Sequence, residues 1–106
     1  MLIDVTEEHI KEGVMQDECN CPIALAVCDA VEQSFCDEHD VEKANVIVTV
    51  HDDDINVHYH KDDGEMEHMF SVSPEDKKDW IIISDFIFGF DNGDDVEPFE
   101  MEMEIN

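Results

Sequence analysis

Residues 45–72 read NVIVTVHDDDINVHYHKDDGEMEHMFSV, and the period of two running through this stretch decides the fold class. Asn45 to His51 is rich in β-branched residues, Ile55 to His60 alternates apolar with polar side chains, and Glu65 to Val72 alternates again. That is the pattern of strands with one face buried. Asp52-Asp53-Asp54 and Lys61-Asp62-Asp63-Gly64 separate them. Both read as hairpin turns, since aspartate and glycine accept the backbone angles of a tight reversal. The stretch is an antiparallel meander.

Helical signals lie on either side. Thr6 caps a short helix, Glu7 to Glu12, with acids at its positive end and Gly13 as its stop. After an irregular connection through Gln16, Asp17 and Glu18, Asn20 or Cys21 caps the next helix and Pro22 occupies its first turn. Ile23, Val27, Ala30, Val31 and Phe35 recur at helical spacing, which predicts a helix from Pro22 to Cys36. Ser73-Pro74-Glu75-Asp76 has the chemistry of a helix start: a serine cap, a proline in the first turn and a carboxylate three residues on. The helix it predicts carries Trp80, Ile81, Ile83, Ile87 and Phe88, with Ile82 and Phe86 widening the buried stripe, and ends at Gly89 and Asp91-Asn92-Gly93. Phe99 to Ile105 alternates strictly and reads as a last strand with Phe99, Met101, Met103 and Ile105 inward. The expectation is a single α+β domain over residues 1–106, with order ααβββαβ: a four-stranded antiparallel sheet with helices packed on one face.

The charge is extreme. Thirty Asp and Glu face five Lys and Arg, all five of them lysine, for a formal charge of −25. Such a surplus repels itself and opposes compaction. An apolar fraction of 42% nevertheless exceeds that of an acidic disordered tail. Nucleic acid and anionic membranes would be repelled, so neither is expected as a ligand. The longest apolar run, Ile23 to Cys28, is far short of the roughly 20 residues that span a bilayer. The first residues, MLIDVTEEH, lack a basic stretch followed by an apolar core. A soluble, cytoplasmic protein is expected.

The acids have a pattern. Glu100, Glu102 and Glu104 share one strand face at intervals of about 6.7 Å, roughly twice the ~3.4 Å rise per charge on one DNA strand. Outward glutamates on an edge strand also serve to prevent pairing with other chains. Acids elsewhere widen the negative surface: Asp94, Asp95 and Glu97 before the last strand, and Asp52, Asp53, Asp54, Asp62 and Asp63 in the turns. A surface negative from most directions is drawn to basic clefts at long range. These residues are therefore the candidate partner-binding set, and the expected partner is a basic protein such as a DNA-binding enzyme or defence factor. A homodimer is compatible with this reading. Molar salt offers a competing account, because screening there nearly abolishes self-repulsion and the charge would be solvent adaptation.

Cofactor and catalytic readings are weaker. Asp52-Asp53-Asp54 and Asp91-Asn92-Gly93-Asp94-Asp95 lack the full calcium loop with its terminal glutamate. Cys19 and Cys21, and Cys36 with His39, resemble zinc ligand pairs, but a helix between them holds the pairs roughly 20 Å apart. Cys19 and Cys21 with His9 remain an alternative zinc set, and the four cysteines are expected to be reduced thiols. His58 and His60 share a strand face, yet matching apolar faces sends His68 to the other side. No phosphate-cradling glycine loop or nucleophile elbow occurs. Neither an enzyme nor a cofactor is expected.

Cys21-Pro22-Ile23-Ala24-Leu25-Ala26, preceded by His9-Ile10-Lys11-Glu12-Gly13, together with Phe86, Phe90-Asp91-Asn92-Gly93 and Val96-Glu97-Pro98-Phe99, resembles small uncharacterised phage proteins. The resemblance touches both ends of the chain and leaves the hairpins unmatched. It implies a phage source and carries over no functional residue. In general character the chain is also similar to the acidic DNA mimics of phages, such as anti-restriction proteins and uracil-DNA glycosylase inhibitors, without sharing a motif with them. The function expected is a DNA-mimic-type inhibitor of a host protein of restriction, CRISPR, BREX-type defence, DNA repair or transcription. A small zinc-binding or structural phage protein is the alternative.

Overall fold

The computed structural model describes residues 1–33, 46–51, 53–60 and 64–106. Its elements run β1 (Leu2–Val5), α1 (Glu7–Glu12), α2 (Pro22–Val31), β2 (Val46–Val50), β3 (Ile55–His60), β4 (Met66–Pro74), a 3-10 turn (Lys77–Asp79), α3 (Trp80–Asp91) and β5 (Phe99–Ile105). The strands form one antiparallel five-stranded sheet in the order β1-β5-β4-β3-β2. The fold is α+β, as the alternation predicts. The sheet has five strands rather than four, and the order opens with a strand.

The additional strand is β1. Ile3 and Val5 point inward and are fully buried, while Leu2 and Asp4 point out. Its pairing with β5 sets Leu2 opposite Glu102 and Asp4 opposite Glu100. β5 in turn pairs with β4 through Val72–Ile105, Ser73–Glu104 and Pro74–Met103. β4 is thus the bridge between the β2–β3 hairpin and the β1–β5 pair.

One continuous core closes the sheet's inner face. Ile3, Val5, Val48, Ile55, Val57, Val72 and Met103 from the strands cluster with Ile23, Val27 and Val31 of α2 and Ile83, Phe86 and Phe90 of α3. Burying each such side chain contributes on the order of 1.5–3 kcal/mol. Ile83, Phe86 and Phe90 recur at i, i+3 and i+7, one stripe of α3, and Phe86 meets Phe99 of β5 edge-to-face at 5.2 Å.

Local chemistry fixes the helix starts. Thr6 Oγ1 accepts from the His9 amide while the Thr6 amide donates to His9 Nδ1. An amide can only donate, so Nδ1 is the acceptor and Nε2 carries the proton it donates to Asp29 Oδ2, 2.6 Å away. That bond ties α1 to α2. Cys21 caps α2, its Sγ accepting from the Ala24 amide at 3.4 Å.

Two predicted boundaries move. Ser73 and Pro74 do not start a helix; they end β4, with Pro74 buried opposite Met103. Phe70, Val72 and Pro74 continue the inward alternation, and that burial outweighs local capping, while a strand's end tolerates proline's missing donor. The turn into α3 is capped instead by Asp76, whose Oδ1 accepts from the Lys78 amide at 3.0 Å. The α-helical part of α2 ends at Val31, and the rest of the predicted stretch, Ser34 to Cys36, lies outside the described residues.

Candidate functional site

β5 carries the acids expected of it. Glu100, Glu102 and Glu104 are exposed, and Met101 and Met103 between them are buried. In the sheet β5 lies between β1, which pairs along Phe99–Glu102 and is itself the edge strand, and β4, which pairs along Met103–Ile105. β1 adds a fourth acid that the sequence reading missed: Asp4 sits directly across from Glu100 on the same outer face. Leu2-Ile3-Asp4-Val5 does alternate, but four residues supply only two inward positions.

These carboxylates have little compensation. The Met1 amine lies 3.3 Å from Glu102 Oε2. Among the described residues Asp4, Glu100 and Glu104 make no salt bridge. Like charges in adjacent cross-strand positions oppose folding. The arrangement is a small grid, with Asp4 and Glu100 about 5.5 Å apart across the strands and neighbours about 6.7 Å apart along β5.

The other candidate residues do not all join the grid. Asp94, Asp95 and Glu97 are exposed in the loop that leads into β5, where the Asp94 amide donates to the Gly89 carbonyl of α3 and Glu97 lies beside Lys11 of α1, so they border the helices rather than continue the row. Asp53 and Asp54 are exposed between β2 and β3, on the far side of β4 from the row. Asp52, Asp62 and Asp63 lie outside the described residues.

The outer face changes character past Ser73. A register shift between Val57 and His58 bypasses Met69, so Val57 faces Phe70 but His58 faces His68. The two imidazoles meet edge-to-face at 5.2 Å. This corrects the expectation that hydrophobic register keeps His68 away, because a bulge changes the facing of every residue beyond it. Ser71 Oγ donates to Asn56 Oδ1 at 2.8 Å and lies 3.3 Å from His68 Nε2. His58 Nδ1 is buried without a partner in the structure.

The zinc reading does not gather its ligands. Cys21 is buried and occupied as a cap, Cys19 is exposed with Sγ 3.8 Å from Thr49 Oγ1, and His9 is held by Thr6 and Asp29. Cys36 and His39 lie outside the described residues. Among the described residues, no three His, Cys, Asp or Glu side chains gather as a metal site.

A second surface lies across the core from the grid. An open cleft of about 800 Å³ runs between the C-terminal half of α3 and the 16–22 segment, with Ile87, Phe88 and Phe90 on one wall and Asp17, Glu18 and Asp91 around it. Asp91 Oδ1 accepts from the Gln16 amide at 2.8 Å, and Gln16 adopts φ 60°, an unusual conformation for a residue with a side chain. The Asp17 carboxyl is held below its ordinary value by hydrogen bonds, first from the Asn20 side chain and then from the Cys19 amide. Burial pushes the Cys21 thiol up, so it stays protonated at neutral pH.

No family model, curated protein or solved structure matches the chain. No helix among the described residues is long and apolar enough to cross a membrane.

Proposed function

We propose that the protein is an acidic DNA-mimic-type inhibitor of phage origin, a binding protein without catalytic activity. It occupies the basic nucleic-acid site of a host DNA-handling or defence protein. The observation that carries this reading is the outward grid of Asp4, Glu100, Glu102 and Glu104 on the paired strands β1 and β5. Its cross-strand repulsion, Asp4 against Glu100, works against the fold. A basic cleft would relieve that repulsion. The sheet fixes the backbone positions from which the carboxylates project, so binding need order only their side chains.

Affinity capture from host extract at low and high salt, repeated with duplex DNA in excess, tests the reading. Support is capture of a DNA-handling protein that salt and DNA both weaken and that Glu100→Gln/Glu102→Gln/Glu104→Gln abolishes. A salt-insensitive partner without a basic site would sink it.

A further inference from the structure

α3 is apolar on more than the face it buries. Ile81, Ser84, Asp85 and Phe88 fall at i, i+3, i+4 and i+7, a stripe that points away from the core. Phe88 is 72% exposed, Ile81 65% and, beside them, Ile82 46%. A chain with a −25 charge has no lack of polar residues for an outer helix face, so three large apolar side chains there call for a partner. Phe88 also borders the cleft, which makes the stripe and the cleft one surface.

The charge around this surface selects the occupant. Asp85 lies within the stripe, and Asp17, Glu18 and Asp91 line the cleft with His51, whose Nδ1 is 3.5 Å from Glu18 Oε2. The C-terminal end of α3 adds the negative end of its dipole beside Asp91. A second copy of this chain would bring the same acids and another −25 against them, with Asp85 near its own counterpart across a two-fold axis. A partner with apolar anchors and cationic flanks meets both demands.

We infer that the outer face of α3 and the adjoining cleft are a docking site for a basic amphipathic helix of a partner protein. One bulky apolar side chain of that helix enters the cleft beside Ile87 and Phe88, and its lysines or arginines face Asp17, Glu18, Asp85 and Asp91. This is helix-in-groove recognition, in which apolar anchors supply affinity and flanking charge supplies orientation and on-rate. The site is separate from the sheet grid and does not depend on the mimic reading.

The test uses the intact chain and a fluorescent 18-residue peptide that places Leu and Phe on one helical face and Lys and Arg on its flanks. A scrambled peptide of identical composition is the control. Fluorescence anisotropy is expected to show binding at least tenfold tighter for the amphipathic peptide, with Phe88→Ser weakening it at least tenfold. Glu8→Lys, exposed on α1 and outside both surfaces, should change it less than twofold. Far-UV circular dichroism verifies that Phe88→Ser stays folded, and Ile81→Ser provides an independent second variant. Equal binding of the two peptides would overturn the site. So would indifference to both serine variants, or sedimentation showing a dimer that Phe88→Ser dissolves, which would make a second copy the occupant.

Discussion

Reversing the charge at Glu100 should stabilise the protein, and the size of the gain follows from the pairing. Glu100 lies directly opposite Asp4, with Glu102 two residues along the same strand. At about 5.5 Å in water, two unit charges repel by about 0.75 kcal/mol, which screening over ~10 Å at 0.1 M salt lowers to about 0.4 kcal/mol. Glu102, about 6.7 Å away, adds about 0.3 kcal/mol, part of which persists in the unfolded chain because the two residues are close in sequence. The Asp4 contribution exists only when β1 and β5 are paired. Glu100→Lys turns repulsion into attraction, so the expected stabilisation is about 1 kcal/mol at 0.1 M salt, with Glu100→Gln giving about half. Both lysine and glutamate are poor strand formers, so the backbone preference hardly changes. Urea unfolding followed by Trp80 fluorescence measures the gain, and repetition with Asp4→Asn isolates the pair by a double-mutant cycle. At 1 M salt, with a ~3 Å screening length, the coupling should fall by more than half. A destabilised Glu100→Lys, or a gain indifferent to salt, would refute the reasoning: the carboxylate would then be serving the fold.

Three further outcomes follow from the core and the titrating groups. Ile83→Ala, at a fully buried position of α3, should cost about 2–5 kcal/mol in urea unfolding, whereas Ile81→Ser on the outer stripe should stay within about 0.5 kcal/mol. At pH 8, mass spectrometry after iodoacetamide should find Cys19 modified before Cys21, which stays protected until the chain unfolds. Because the folded Cys21 thiol titrates above the unfolded one, its contribution is complete below the ordinary thiol value and is lost as pH rises through the folded value. Early loss of Cys21 would contradict its burial. Asp17 has the opposite sign: its folded value lies below the ordinary carboxyl, so its contribution is present above about pH 3.8 and is lost as pH falls through the folded value. The stability difference between wild type and Asp17→Asn should therefore shrink in acid; a difference that grows there would contradict the Asn20 and Cys19 hydrogen bonds.

The meander was legible because its strands are long enough for a period of two to stand out and aspartate-rich turns separate them. β1 is hidden by its length, because four residues supply only two inward positions, and without it nothing in the sequence gives β5 a partner on that side. At Ser73-Pro74 two local rules competed, and neighbouring sequence could not weigh them. The cap chemistry is real, but Phe70, Val72 and Pro74 each gain a buried place against the core only if the strand continues. The His58–His68 contact depended on the bulge at Met69. Met69-Phe70, two adjacent apolar residues within an alternating run, is the one trace of that bulge in the sequence. On α3 the breadth of the apolar pattern predicts a wide buried stripe. Ile81, Ile82 and Phe88 proved to be the exposed excess, and composition alone cannot separate a helix buried all round from one with an unfilled face.

The two proposed surfaces respond differently to salt, and that difference separates them in a single titration. Binding at the grid rests on charge: it releases the repulsion among Asp4, Glu100, Glu102 and Glu104, so a partner there should also stabilise the chain against unfolding, most strongly at low salt. Binding at α3 rests on burying Phe88 and Ile81, an apolar contribution that salt does not screen, and its acids add mainly on-rate. A complex that disappears between 0.05 and 0.5 M salt belongs to the sheet face. Binding that survives with slower association belongs to α3. Because the sheet and its core lie between the two surfaces, a rigid cleft that engages the grid leaves the α3 face open, and a second basic segment can dock there without displacing the first.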